Sequence, residues 1–425
     1  MNFDLPSLEE YLDEFSNQGF RPLENKLETM SKLCAYFGHP EDYCPCFHVA
    51  GSKGKGTIAG GIAAILRKNG YKTGVYSSPH VYHFTERISD GVEAFEPKIY
   101  AAAEKELKTG IKNLLDSKKI EKSSLTWFEL VTIFAMLTFR EAKVDYAIYE
   151  VGRGGRLDVT NVIHPLAIGM GPIELEHTDY LGNTLAKIAT EKSGVFKPNV
   201  PIISAPQAPE VQAVFKEKAA RNQTEVEYIN ESDYRLLDAK ISASCVKKVL
   251  RNLNQETAVS IAFNTSLPGR YELIENYRGL PYLLMDGAHT ENSIKSVLAR
   301  MKKDHIKGNL IFACAKGKNV EKIAAAIIKS NLFETIYLTR PGDYKKSDFT
   351  RMKAVFSKSV DQVFVDPDCQ NHTKNIQIIA DPDHQALIKK ALTESASKNL
   401  SLVVLGSMYL PSEVKKVSQI LKNVL

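Results

Sequence analysis

Three glycines alternate with hydroxyl and amine side chains in "GSKGKGT", where Gly51, Gly54 and Gly56 frame Ser52, Lys53, Lys55 and Thr57. Such a loop can fold its backbone N–H groups around a phosphate, with a lysine reaching the terminal phosphates and a hydroxyl offered to magnesium. The strict phosphate-loop pattern fails twice. Val49 stands where the first glycine belongs, and Gly56 separates Lys55 from Thr57. The competing reading is a flexible, positively charged surface turn. A phosphate loop also needs a carboxylate for its metal, and Glu150 closes the apolar run "DYAIYE" just before "VGRGGR". At a strand end such a glutamate emerges at the carboxyl edge of a sheet; its plain alternative is a solvated edge residue.

The elements around these residues decide their geometry. "PCFHVA" reads as a short buried strand and "TIAGGIAAILRKNG" as a helix stopped by Gly70, so the glycine loop lies at a strand-to-helix turn, where amides and helix dipole favour an anion. "KTGVYSS", "VDYAIYEVG", "PLAIGMG" and "VPIISAP" read as strands, with helices over 125–141 and 185–193. Strands alternating with helices imply a parallel sheet covered on both faces. The texture turns loop-rich around "NTSLPGRYELIE", which places a domain boundary there. Strands "YLLMD", "NLIFACA", "TIYLT", "IQIIA" and "LSLVVLG" follow, with helices over 294–301, from Val320, near Ala386 and at the end. The expectation is two doubly wound α/β domains, 1–266 and 267–425, with ligands at the carboxyl ends of their strands.

Composition sets limits on partners. The 425 residues exceed one ordinary core, and 44% apolar with 25% charged residues is the balance of a soluble globular protein. A net charge of +5, with scattered lysines and arginines, argues against a nucleic-acid binder. The longest apolar run, "LVTIFAMLTF" from Leu130, is about half of what a bilayer-spanning helix needs. The acidic start "MNFDLPSLEEYLDEF" is unlike a signal peptide, and a cytoplasmic protein is expected. Six cysteines in so long a chain do not make a disulfide framework. Cys44 and Cys46 flank Pro45, with His39 and His48 nearby, but no second cysteine pair lies at ligand spacing, which argues against a structural zinc.

Taken together, the motifs resemble the folylpolyglutamate synthase and dihydrofolate synthase family within the Mur ligase superfamily. "VAGSKGKGT" is similar to the family's variant phosphate loop, in which a glycine separates the lysine from Ser or Thr, so both departures from the strict pattern are features of the family. "SSPH", "FTERI", "TWFE", "EVGRGGRLDVTN", "IELEHTDYLGNTLAKIATEKSGVFK", "PGRYE", "MDGAH" and "LGSMY" resemble further family segments in the same order. The resemblance implies a P-loop ATPase-like domain of the Mur ligase central type and a smaller Rossmann-like C-terminal domain. It also implies an ATP-dependent ligase that joins glutamate to a pteroate or folate carboxylate through an acyl phosphate.

Residue roles follow from the same resemblance. Gly51, Ser52, Lys53, Gly54, Lys55, Gly56 and Thr57 would hold ATP, with Arg270, Asp286 and His289. Two magnesium ions are implied, the first on Thr57 and Glu150, the second on His177 helped by Lys192, which many relatives carry as a carbamate. Lys55, Glu150, His177 and Lys192 would form the catalytic set. Ser78, Pro79, His80, Thr126, Phe128 and Glu129 would meet the folate or pteroate. Asp286, His289, Gly406 and Ser407 would meet glutamate. A monomer acting on small molecules, without nucleic acid or membrane partners, is expected. Lys53, Arg153, Glu176 and Thr290 depart from the usual asparagine, leucine, aspartate and asparagine, and "CAKGKN" lacks the acidic residues of the family's "DKD". A cell-wall Mur ligase and a non-catalytic nucleotide-binding relative are the alternatives. The first would need a uridine-nucleotide domain ahead of a loop that here comes as early as residue 51. The second has no need of Lys55, Glu150, His177 and Lys192 together.

Overall fold

The computed structural model describes residues 1–16, 25–176, 178–343, 346–365 and 376–422. These form two compact units, Met1–Thr265 and Ser266–Leu425, each built on its own sheet. In the first, β1 (Cys46–Ala50) is buried along its whole length, as an apolar strand must be when parallel neighbours flank it and helices cover both faces. The sheet adds β2 (Thr73–Tyr76), β3 (Ile88–Ser89), β4 (Tyr146–Glu150), β5 (Ala167–Met170), β6 (Ile202–Ser204) and β7 (Val226–Tyr228) in the order β3-β2-β4-β1-β5-β6-β7. β3 runs antiparallel to β2, and the other pairs are parallel.

The second sheet takes β8 (Glu272–Tyr277), β9 (Leu280–Met285), β10 (Gly308–Phe312), β11 (Phe333–Leu338), β12 (Gln377–Ala380) and β13 (Ser401–Leu405) in the order β12-β11-β10-β13-β9-β8. β8 and β9 are antiparallel and meet at Arg278-Gly279, both with positive φ (52° and 81°), as a two-residue hairpin turn requires. Two doubly wound α/β units with antiparallel edge strands are therefore present.

The apolar run from Leu130 lies inside the helix Trp127–Ala142, whose residues 129–139 are all buried. Thr126 caps it in a reciprocal box with Glu129, which explains why the helix begins two residues after the start expected at 125. Among the described residues, no helix is long and apolar enough to cross a membrane. Several elements escaped the sequence reading. β3 and β7 are two and three residues long, too short to show a period. β8 lies within the passage read as loop-rich, because as an edge strand it is not fully buried and includes charged Glu272 and Glu275. The helix Pro97–Asp116 carried a legible signal, a proline in its first turn and buried Tyr100, Ala103, Leu107, Ile111 and Leu114 at steps of three and four.

Candidate functional site

Parallel pairing sets Val49 of β1 opposite Glu150 of β4, so the glycine loop that follows β1 and the carboxylate that ends β4 share one sheet edge. The loop passes from Ala50 into the helix Lys55–Lys68, and its N-cap, Gly54, carries no capping side chain, leaving first-turn N–H groups for an incoming anion. Gly54 adopts φ +78°, and a Cβ there would stand 2.5 Å from the Asp238 carboxylate. Gly51 adopts φ +131°, and a Cβ there would meet the Gly171 backbone at 2.8 Å. The loop is held from the far side too. Ser52 N donates to Pro172 O at 2.9 Å, and Glu174 N donates to Ser52 Oγ at 3.0 Å. Gly54→Ala should therefore displace the loop or Asp238 and raise the dissociation constant for ATP by roughly tenfold or more; nucleotide titration of the two proteins checks this, and equal affinities would contradict it.

Two lysines converge beneath the loop. Lys55 Nζ donates to Gly51 O at 3.1 Å and Lys192 Nζ to the same oxygen at 2.9 Å. Lys192, 1% exposed, also pairs with Glu176 Oε1 at 2.8 Å. Burial, and then the Lys55 charge, pull the Lys192 amine below the usual lysine range. Burial would push Glu176 up, but the ammonium groups of Lys192, Lys55 and Lys53 outweigh it and hold the carboxyl below its ordinary value. The departures at Lys53 and Glu176 thus act on one another through charge, the added cation helping to hold the carboxyl low. His177 lies outside the described residues.

Glu150 is 3% exposed, and its Oε2 accepts from Ser78 N at 3.1 Å, which ties β4 to the "SSPH" turn. The turn continues into a built loop. Glu86 accepts from the N–H groups of Val81, Tyr82 and His83, and Arg87 Nε donates to His80 Nδ1 at 2.8 Å. Burial first, then the Arg87 charge, lower His80 to about 4, so it is neutral. Arg87 lies 4.9 Å over the Trp127 ring, which brings "FTERI" against "TWFE". Within "TWFE", Thr126 and Glu129 bond to each other, while Phe128 is exposed and within 3.9 Å of where a Cβ on Gly152 would stand. Pro79 sits half-buried in this turn.

Residues that the sequence reading did not assign position these groups. Asp158 accepts from the N–H groups of Gly152 and Arg153, just after Glu150, and its other oxygen accepts from Thr160 Oγ1 at 2.6 Å. Thr160 Oγ1 in turn meets His48 Nε2 at 2.8 Å. Asp158 lay within a quoted motif, whereas Asp238 had no local signal, since it acts from a helix far along the chain. Arg153 lies 4.4 Å over the Tyr180 ring.

In the second unit, Arg270, Asp286, His289, Gly406 and Ser407 gather at the carboxyl ends of β9 and β13. Asp286 is half-buried and accepts from Tyr271 N and Ala288 N, both at 2.7 Å; desolvation raises its carboxyl. His289 Nδ1 lies 2.8 Å from Gly287 O and must carry the proton there. Gly406 N donates to Ala288 O at 2.8 Å, and Ser407 Oγ accepts from Tyr409 N. Arg270 contacts Met408. Thr290 caps the helix Glu291–Lys303 through Ser293, a task that threonine and asparagine share.

A family model for the C-terminal domain of dihydrofolate synthetase matches residues 278–417. The chain is 30% identical over 318 residues to the dihydrofolate synthase/folylpolyglutamate synthase of Escherichia coli (strain K12), covering 69% of this chain and 72% of that protein. It is 28% identical over 430 residues to the protein of the same name from Bacillus subtilis (strain 168), covering 92% and 94%. Its fold is similar to Mycobacterium tuberculosis folylpolyglutamate synthase complexed with ADP and AMPPCP, with a TM-score of 0.79 at 23% identity over 97% of this chain and 98% of that one. It is also similar to E. coli FolC in complex with DHPP and ADP, with a TM-score of 0.78 at 23% identity over 99% and 98%.

Proposed function

Since the chain belongs to the folylpolyglutamate synthase and dihydrofolate synthase family, whose members join glutamate to a folate-type carboxylate at the expense of ATP, we propose that it carries out both ligations, on dihydropteroate and on folates. The observation that carries this reading is the Gly51 carbonyl, where Lys55 and Lys192 meet under an uncapped glycine loop on the same sheet edge as buried Glu150. We assign the first unit to ATP and the folate-type substrate and the second to glutamate. The protein acts as a cytoplasmic monomer in this proposal.

A carboxylate acylates poorly because oxide would have to leave; transfer of the γ-phosphoryl group to it gives an acyl phosphate, and attack by the amine of glutamate then releases phosphate. Negative charge spreads over the transferred phosphoryl oxygens, so Lys55 and the N–H groups of Gly54 and Gly56 act by stabilising it. Ser52 and Lys53 shape the phosphate side of the loop. Thr57 and Glu150 offer hard oxygen donors that fit magnesium, which would neutralise phosphate charge. A second magnesium would be held by His177 and by Lys192 as its carbamate; the lowered Lys192 amine fits, because only a neutral amine takes up carbon dioxide. Ser78, Pro79, His80, Thr126, Phe128 and Glu129 would orient the folate or pteroate, with exposed Phe128 as the apolar face. Arg270, Asp286 and His289 would meet ATP, and Asp286, His289, Gly406 and Ser407 glutamate.

The test supplies the protein with ATP, magnesium and glutamate, adding dihydropteroate or a reduced folate in turn, and follows ADP release and product mass. Turnover with both substrates is expected. No turnover with either would overturn the proposal, and turnover with one alone would reduce it to a single activity.

A further inference from the structure

The two arginines of "EVGRGGR" have different surroundings. Arg156 donates Nε and Nη2 to Glu191 Oε1 at 3.0 and 2.9 Å, so its charge is balanced. Arg153 is exposed, and among the described residues no carboxylate pairs with its guanidinium. Its backbone is nevertheless fixed, because Arg153 N donates to Asp158 Oδ2 at 3.0 Å and Gly152 N to the same oxygen at 3.1 Å. The guanidinium carbon lies over the exposed Tyr180 ring, 4.4 Å from its centre. A cation held on a ring in this way keeps its N–H donors in the guanidinium plane, where a carboxylate can take two of them.

Arg153 issues from the corner assigned to the folate-type substrate. Ser78 N donates to Glu150 Oε2 at 3.1 Å, while Ser78 Oγ and Phe128 Cε1 each lie 3.9 Å from where a Cβ on Gly152 would stand. The chain therefore turns from Glu150 back over Ser78 and Phe128 and presents Arg153 one residue later. Three residues span at most roughly 11 Å, so Arg153 belongs to the same sheet edge as Glu150 and the glycine loop. Leucine, usual at this place in the family, offers no donor, and the cation is this chain's own addition.

The substrates of the two proposed ligations differ in one group that a cation can read. Dihydropteroate has a single carboxylate, and that carboxylate reacts. A folate presents the γ-carboxylate of its glutamate to the reaction and keeps the α-carboxylate, four C–C bonds and about 5 Å away at full extension. We propose that Arg153 binds this α-carboxylate and so determines specificity, favouring folates over dihydropteroate as acceptors of the next glutamate. The inference rests on the ligase reading and deepens it. Exposed Phe128 and Tyr180 offer aromatic faces that both substrates can use, whereas the Arg153 guanidinium has a partner only in the folate. Because Arg153 is exposed, water screens the pair, and its contribution is about five- to tenfold in affinity rather than the larger factors of buried pairs.

The test measures equilibrium binding of tetrahydrofolate, which carries one glutamate, and of dihydropteroate to the full chain and to Arg153→Leu, with magnesium and a non-hydrolysable ATP analogue but no free glutamate. Expected is a dissociation constant for tetrahydrofolate raised about five- to tenfold by the substitution, with that for dihydropteroate changed less than about twofold. KM values from ligation assays should divide in the same way. Arg153→Gln keeps a polar stem and removes the charge; it should give the same split, and it replaces the leucine variant should that one melt early. Equal weakening of both substrates would make Arg153 a packing residue on Tyr180 and overturn the proposal. An unchanged tetrahydrofolate affinity, or no binding of tetrahydrofolate by the wild type, would also overturn it, even where ligation proceeds. Absence of ligation with either substrate, with the split in binding intact, would instead overturn the ligase reading and leave the Arg153 assignment standing.

Discussion

Lys55→Ala is expected to reduce ligation by about 10²–10³-fold or more while leaving the protein folded. In the proposed reaction Lys55 is the cation that acts on the transferred phosphoryl group, and removing one preorganised charge-stabilising donor typically costs that much in rate. The structural cost is small by comparison. Among the described residues its ammonium makes one hydrogen bond, to the Gly51 carbonyl, and Lys192 bonds that same oxygen from below, so the carbonyl is not left unpaired. The substitution removes a like charge that lowers the Lys192 amine and, against it, an attraction for the Glu176 carboxylate, so the two effects oppose. Lys55→Ala should thus show a nearly unchanged melting temperature together with lost ADP release. An alanine variant that turns over within a few-fold of wild type would refute the placement of the phosphate at this loop.

Glu150→Gln separates charge from shape. The glutamine fills the same buried space and still offers a carbonyl oxygen to Ser78 N, so the turn at Ser78 stays in place. What is lost is the negative charge that would hold magnesium with Thr57. The expected result is a fall in kcat of about 10²-fold or more, with a magnesium requirement shifted to higher concentration. Glu150→Ala should add a stability cost of about 1–3 kcal/mol, because the half-buried Ser78 N–H then loses its acceptor. Magnesium titration of activity beside denaturant unfolding of the two variants distinguishes the effects. An unchanged magnesium dependence in Glu150→Gln would remove the residue from the metal site. Chelation by EDTA should abolish wild-type turnover and be reversed by added magnesium.

Much of the fold was legible because its signals are local. The runs that became β1, β4, β5, β10 and β13 are apolar over four or five residues and bounded by glycine, proline or charge, which suits parallel strands buried on both faces. The loop was legible for the same reason: glycines at 51 and 54, needed where φ is positive and backbone or carboxylate stands close, are written directly in the chain. Short edge strands β3 and β7 were not, since two or three residues carry no period.

The sequence by itself determined the alternation of elements, the glycine loop at a strand-to-helix turn, Glu150 at the end of its strand and the order of motifs that marks the family. Only the tertiary structure decided which distant groups meet. Lys192 reaches the Gly51 carbonyl across 141 residues, Asp238 closes on Gly54 from another helix, and His48 turns from the nearby cysteines to Thr160, 112 residues on. Periodicity records which face of an element is buried, not which neighbour covers it. A buried amine, carboxylate or imidazole takes its partner from whatever the packed sheet and helices bring within hydrogen-bond reach.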